Sequence, residues 1–154
     1  MRSFLFVPGD STRKFESAKK TAADALILDL EDSIAPDQKV VARGITREML
    51  DARNPEQKLY IRVNALDTDL TLGDLAAVMP GKPDGIVLPK CAGAADVNKL
   101  ALYLDAFEAA SGIAQGTTRI ITVATETARA VLKILDFENM SPRLWGMMWG
   151  AEDL

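Results

Sequence analysis

The segment Ala25-Leu26-Ile27-Leu28-Asp29-Leu30, followed at once by Glu31-Asp32, decides the fold class. Its apolar run is nearly unbroken. That pattern suits a strand in a parallel sheet covered on both faces, whereas a strand with one wet face would alternate. Upstream, Ser3 to Val7 reads as a buried strand ended by Pro8-Gly9, and Ser11 to Thr21 as a helix capped by Ser11 or Thr12. Downstream, Pro36 suits the first residue of a helix running to about Arg53, with Asn54-Pro55 as a turn. Leu59 to Val63, Gly85 to Leu88, Ile120 to Ala124 and Leu144 to Trp149 read as four more strands. Helices are expected over Thr71 to Val78 and Ala94 to Ala110, the latter with Val97, Leu100, Leu104 and Phe107 at helical spacing. A fifth is expected over Thr127 to Leu135, with Ala130, Val131, Ile134 and Leu135 facing inward.

Six strands, each followed by a helix or the start of a loop, predict an α/β protein with a mainly parallel sheet. An open doubly wound sheet could be finished in 154 residues, whereas a closed (β/α)8 barrel needs roughly 250. Length alone favours the open sheet, and only motif evidence can reverse that preference.

Composition narrows the chemistry. With 48% hydrophobic and 26% charged residues, the chain is that of a globular domain. The net charge of −4 comes without a basic block, which argues against nucleic acid as a partner. The absence of histidine removes HExxH hydrolases, Ser-His-Asp triads and His-Cys zinc sites. The single cysteine, Cys91, permits no intrachain disulfide, and without histidine to activate it a packing role is expected. No apolar run approaches the roughly 18 residues of a membrane span. The opening Met1 to Gly9 has a four-residue apolar run closed by Pro8-Gly9-Asp10, so it reads as a first strand of a cytoplasmic protein and not a signal peptide.

Ionisable residues gather where strands end. Asp10 follows strand one, Asp29, Glu31 and Asp32 close strand two, and Arg62 and Asn64 flank Val63 at the end of strand three. Lys90 closes strand four, Glu126 follows strand five, and Glu152-Asp153 follow strand six. The carboxyl ends of strands are where α/β proteins build their sites. Asp and Glu clustered without His or paired Cys suit a hard cation such as Mg²⁺. Arg62 could grip a substrate carboxylate with two parallel hydrogen bonds, or could instead pair with Asp29, Glu31 or Asp32 and simply hold the sheet end together. No GxGxxG or Walker A run is present, and Asp29 to Asp32 is too compact for an EF-hand loop. Trp145, Met147, Met148 and Trp149 read as part of a strand and its packing. Arg13, Lys14, Lys19 and Lys20 form a modest basic patch on the first helix.

These motifs, in order, resemble the citrate lyase beta subunit and its relatives in the HpcH/HpaI aldolase superfamily, which include malyl-, citramalyl- and citryl-CoA lyases. The resemblance is carried by Phe6-Val7-Pro8-Gly9-Asp10, by Leu28 to Pro36, and by Lys39 with Ala42 and Arg43. Ile61-Arg62-Val63-Asn64, Val87-Leu88-Pro89-Lys90, Glu126-Thr127-Ala128-Arg129 and Gly150-Ala151-Glu152-Asp153-Leu154 continue it. It implies a (β/α)8 TIM barrel of the phosphoenolpyruvate/pyruvate-binding type. Residues 1–154 would be the N-terminal portion of a single barrel domain, about its first six βα units.

By the same resemblance, Glu126 and Asp153 are the Mg²⁺ ligands, and Arg62 holds the carboxylate of an oxo or hydroxy acid. Glu31 and Asp32 orient metal-bound water, Asp29 positions Arg62, and Lys90 lies near the substrate beside Glu126. The implied reaction is cleavage of a hydroxy-acyl-CoA thioester to a 2-oxo acid and acetyl-CoA by a homo-oligomer, with no membrane or nucleic-acid partner. Two other readings stay open: a non-catalytic binding or assembly domain that keeps the metal site, and a metal-dependent aldolase acting on free oxo acids. The histidine-dependent aldolases of the superfamily do not fit a chain without histidine.

Overall fold

A computed structural model describes residues 1–153; Leu154, the last residue of the Gly150 to Leu154 segment, lies outside the described residues. Six strands form one parallel sheet: β1 (Phe4–Pro8), β2 (Ala25–Asp29), β3 (Lys58–Arg62), β4 (Gly85–Leu88), β5 (Arg119–Val123) and β6 (Leu144–Met148). Their spatial order is the sequence order, β1 through β6, every neighbouring pair parallel. A doubly wound sheet would reverse direction at a switch point. A sheet that winds only one way is the wall of a barrel, so the order overturns the preference set by length. The wall is curled: the Phe4 ring of β1 meets the Trp145 ring of β6 edge-on, 6.4 Å between centroids.

Between the strands run α1 (Thr12–Ala18), α2 (Lys39–Asp51), α3 (Thr71–Val78), α4 (Ala94–Ser111) and α5 (Ala128–Leu132). Ser11 caps α1 by accepting from the Lys14 amide at 3.4 Å, and Gly112 ends α4 in the left-handed region at φ 62°. Strand alternation sorts the core into two layers. Leu26, Leu28, Leu59, Ile61, Ile86 and Leu88 face the helices and bury the main core with Phe15, Met49, Leu75 and Leu104. Ala25, Ile27, Tyr60, Val87, Ile121 and Val123 face the barrel interior as a second, smaller cluster. Among the described residues no helix is long and apolar enough to cross a membrane.

Four further expectations are corrected. β1 is not buried: Leu5 and Phe6 are exposed, because β1 pairs with β2 alone. The helix expected over Ser11 to Thr21 stops at Ala18, and the one expected from Pro36 opens with a 3₁₀ turn over Pro36–Gln38 before α2. The fifth helix is only five residues long and passes into a 3₁₀ segment, Ile134–Asn139. Of its expected inner face Ala130 is buried, but Ile134 and Leu135 are exposed. A short helix depends on what packs over it, and nothing among the described residues covers this face.

Candidate active site

The alternation that fills the barrel interior also aims the site. Ile27 points inward, and so does Asp29 two residues on; Tyr60 points inward, and so does Arg62. Register pairs Asp29 with Arg62 across β2 and β3. Arg62 Nε donates to Asp29 Oδ1 at 2.7 Å and Nη2 to Oδ2 at 2.8 Å, a two-point clamp. The Asp29 carboxylate also accepts from the Glu31 amide at 2.9 Å and the Ser33 amide at 3.1 Å, so it shapes the turn that carries Glu31 and Asp32. Beneath, the guanidinium carbon lies 5.0 Å from the Phe6 ring centroid. One edge of Arg62 is thus committed to Asp29. Its Nη1 is ion-paired with Glu31 at 3.2 Å and Asp32 at 3.6 Å, so a carboxylate arriving on this side has to displace those contacts.

Lys90 joins this cluster to the next strand ends. It is a non-glycine residue in the left-handed region, φ 51°, a conformation that costs on the order of 1–3 kcal/mol and persists where surroundings enforce it. Here its backbone N–H donates to Glu126 Oε2 while its Nζ donates to Glu31 Oε1 at 2.7 Å. Glu126 is buried just past β5. Asp153 is exposed just past β6. Gly150 brings the two together: a Cβ built there would lie 2.8 Å from Glu126 Cγ, 3.0 Å from Val123 Cγ1 and 3.5 Å from Asp153 Oδ2. The Gly150 amide is pinned to the segment just past β5 by donating to Thr125 Oγ1 at 2.8 Å.

Burial and charge spread the acidities. Burial pulls the Asp29 carboxyl upward, but the hydrogen bonds and charge of Arg62 outweigh it and leave Asp29 below its ordinary value. Burial pushes Glu31 up, against the Lys90 hydrogen bond and the Arg62 charge. Burial likewise raises Glu126; the Lys90 amide opposes this, and the charges of Glu31 and Asp153 add to it. The hydrogen bond to Glu31 raises Lys90. Burial lifts Cys91 to about 11, which fits a packing thiol.

All the expected residues, Asp29, Glu31, Asp32, Arg62, Lys90, Glu126 and Asp153, fall on the carboxyl ends of β2 through β6. Two cations face five carboxylates there, an excess that favours a divalent cation. The donor set suits Mg²⁺: Glu126 and Asp153 offer hard oxygens, and the ion ordinarily takes only one or two protein carboxylates and keeps its waters. Among the described residues no group of three acidic, His or Cys side chains forms a ready cage. Glu31 Oε2 is buried and, apart from the ion-pair contact with Arg62 Nη1 at 3.2 Å, makes no well-aligned hydrogen bond, so it keeps capacity to accept from a metal-bound water. A cleft of about 490 Å³ opens beside Glu31, Asp32, Asn64, Asp67, Thr68 and Lys90, room for a small acid.

Sequence reading gave no role to Lys39, Asn64 or Asp74. Asp74 could have been noticed, since it interrupts the apolar inner stripe of α3 beside Leu75 and Val78 and is fully buried. The basic patch of α1 is divided: Lys19 pairs with Glu16 at 2.7 Å, while Arg13 and Lys14 line a separate cavity against β1.

A profile of the HpcH/HpaI aldolase/citrate lyase family matches residues 2–154. A (3S)-malyl-CoA thioesterase of Cereibacter sphaeroides (strain ATCC 17025) is 35% identical over 99% of this chain and 50% of its own length. The citrate lyase subunit beta of Escherichia coli K12 is 36% identical over 99% of this chain and 50% of its own. The chain therefore spans about half the length of these curated relatives. The crystal structure of the protein CitE from Mycobacterium tuberculosis, in complex with magnesium, acetoacetate and coenzyme A, superposes with a TM-score of 0.77 at 35% identity, covering 98% of this chain and 49% of that one. With its one-way parallel sheet and its strand-end cluster of acids around Arg62, the chain belongs to the HpcH/HpaI aldolase/citrate lyase family.

Proposed function

We propose that this chain is the N-terminal portion of a single-domain, Mg²⁺-dependent carbon–carbon lyase acting on a hydroxy-acyl-CoA thioester of the malyl, citramalyl or citryl type. The observation that carries the reading is the clamp of Asp29 on Arg62, set beside the Glu126 and Asp153 carboxylates on one end of the sheet. The magnesium and coenzyme A complex of the mycobacterial relative supports the cofactor and the thioester class.

In this reading Arg62 holds the carboxylate of the hydroxy acid in exchange for its contacts to Glu31 and Asp32, and Asp29 fixes the guanidinium so that its Nη1 side meets that carboxylate in one orientation. Glu126 and Asp153 would hold Mg²⁺, which when bound supplies a Lewis acid against negative charge developing on the substrate oxygen. Glu31 and Asp32 accept from bound water, and Lys90 keeps Glu31 and Glu126 in place by its side chain and its amide. The substrate hydroxyl loses its proton and the bond to the thioester α-carbon breaks. The products are a 2-oxo acid and an acetyl-thioester enolate, which is then protonated. On this reading the enzyme works as a homo-oligomer in the cytoplasm.

The 35% identity to a malyl-CoA thioesterase favours a second reading, hydrolysis of the same ester. One experiment separates them. The chain is incubated with Mg²⁺ and malyl-, citramalyl- or citryl-CoA, and both 2-oxo acid and free thiol are followed. Oxo acid without thiol, lost in Glu126→Gln, is the expected result. Thiol without oxo acid would replace the lyase with a thioesterase. Mg²⁺ binding with neither product would leave a binding or assembly domain that keeps the metal site, and, in a parallel incubation without any thioester, turnover of free oxo acids would make it an aldolase.

A further inference from the structure

Lys39, Arg43 and Asn64 belong to the family-like motifs, yet none of them faces the clamp of Asp29 on Arg62 or the Glu126–Asp153 pair. Lys39 and Asn64 converge on one carbonyl, that of Leu30, and Arg43 stands behind Asn64 through Asp74. Lys39 Nζ, from the first residue of α2, donates to the Leu30 carbonyl at 2.8 Å and to the Glu31 carbonyl at 2.6 Å. Asn64 Nδ2, just past β3, donates to the same Leu30 carbonyl at 3.0 Å. The Leu30 amide in turn donates to the Arg62 carbonyl at 2.9 Å. Behind Asn64 stands buried Asp74, which accepts from the Asn64 amide at 2.8 Å, from its Nδ2 at 2.7 Å, and from Arg43 Nε at 2.8 Å. Arg43 also donates to the Leu70 carbonyl at 2.9 Å. Gly73 leaves room for it, since a Cβ there would lie 2.8 Å from three guanidinium atoms.

We infer that Lys39 and Asn64, backed by Asp74 and Arg43, are positioning residues that lock the Leu30–Glu31 corner and thereby the Glu31 carboxylate against Arg62 and Lys90. The corner leaves the sheet after β2, where the Leu30 amide still bonds the Arg62 carbonyl but the Leu30 carbonyl accepts from side chains instead of a neighbouring strand. Two side-chain donors, from α2 and from the end of β3 backed by α3, thus set the angle at which Glu31 enters the site. This assignment rests on reading Glu31 as a site residue, but its first readout needs neither metal nor ester.

The test is amide hydrogen exchange by NMR on the 154-residue chain, comparing wild type, Lys39→Met and Lys39→Arg. Methionine keeps the packing of the lysine stem and removes both donors. The Glu31 and Ser33 amides, which are held by Asp29, are expected to exchange roughly tenfold faster or more in Lys39→Met, the loss of charged hydrogen bonds to one corner. The Ile27 and Ile61 amides in the sheet should change by less than about threefold. Lys39→Arg should return the corner toward wild type, and Asn64→Ala should reproduce the methionine pattern. Mg²⁺ affinity, followed by calorimetry, should fall in parallel. An unchanged corner, or acceleration of all amides together, would overturn the inference; a wild-type chain that binds no Mg²⁺ while the corner behaves as described would count against the proposed function instead.

Discussion

A methyl group at Gly150 would press on Glu126 Cγ at 2.8 Å and Val123 Cγ1 at 3.0 Å, closer than such atoms pack. Gly150→Ala is therefore expected to push Glu126 out of place and weaken Mg²⁺ binding roughly tenfold or more, the usual scale for disturbing a ligand's support, as calorimetry would show. Glu126 carries a second consequence. Burial, together with Glu31 and Asp153, raises its pKa, so protons compete with the cation earlier than at an ordinary glutamate. Mg²⁺ affinity should begin to fall as pH drops while still above about 4.3, and a flat affinity down to that pH would contradict the arrangement. Asp29 has the opposite sign. Its pKa is depressed in the folded state, so its contribution to stability is present above about 3.9 and is lost as pH falls through the folded value. Asp29→Asn should cost about 1–3 kcal/mol at neutral pH by removing the charged hydrogen bonds to Arg62 and leaving it only Glu31 and Asp32, and denaturation at lower pH should show the difference from wild type shrinking. Asp29, Arg62 and Glu126 were all legible in the sequence because strand ends announce themselves as polar residues after apolar runs. The roles of Lys39 and Asp74 were not, although Asp74 stands out as a break in the apolar stripe of α3, because their partners are carbonyls and residues 10 to 31 positions away, which spacing alone does not reveal.

Among the elements, α4 is held by something its apolar spacing hides. Val97, Leu100 and Leu104 continue inward to Glu108, which is fully buried. Its carboxylate accepts from the Gly116 amide at 2.7 Å, the Thr118 amide at 2.8 Å, and Arg143 Nη1 and Nη2 at 2.8 and 2.6 Å. Arg143 precedes β6 and also bonds Asp105, so it ties α4 to the start of the last strand. Burial works against the Glu108 charge, but Arg143 and the two amides overcome it and hold the carboxyl at about 2. That stability is present above about 4.3 and is lost as pH falls toward the folded value. Arg143→Met is expected to destabilise the chain by about 3–5 kcal/mol in urea denaturation, because a buried carboxylate is left without its cation. A loss below about 1 kcal/mol would mean that the two amides suffice. The six strands and the order of the helices were readable from hydrophobic runs. The extent of the fifth helix was not: Ala130, Val131, Ile134 and Leu135 look like an inner face at helical spacing, but that periodicity does not say whether anything packs against it.

At the scale of the whole molecule, that uncovered face becomes a property of the chain. Leu132 is 87% exposed, Leu135 78% and Trp149 70%, beside an apolar cleft of about 310 Å³ lined by Ala124, Val131, Ile134, Met148 and Trp149. At the other end of the sheet Leu5 and Phe6 are exposed on β1. Among the described residues both β1 and β6 pair on one side only, so each presents an open row of backbone donors and acceptors next to apolar side chains. Such patches on a soluble domain drive association. The 154-residue chain by itself is expected to self-associate with rising concentration, seen as a growing sedimentation coefficient and strong binding of an apolar dye. Leu132→Glu combined with Leu135→Glu should reduce that association with little loss of stability, because both side chains already stand in solvent and forfeit little burial. If the double variant associates as strongly as wild type, the contact runs through the strand edges instead, and a lysine at Leu5 on β1 becomes the substitution that should weaken it. A wild-type chain that stays monomeric at high concentration would show that the curl bringing Phe4 against Trp145 shields these edges well enough without a further partner.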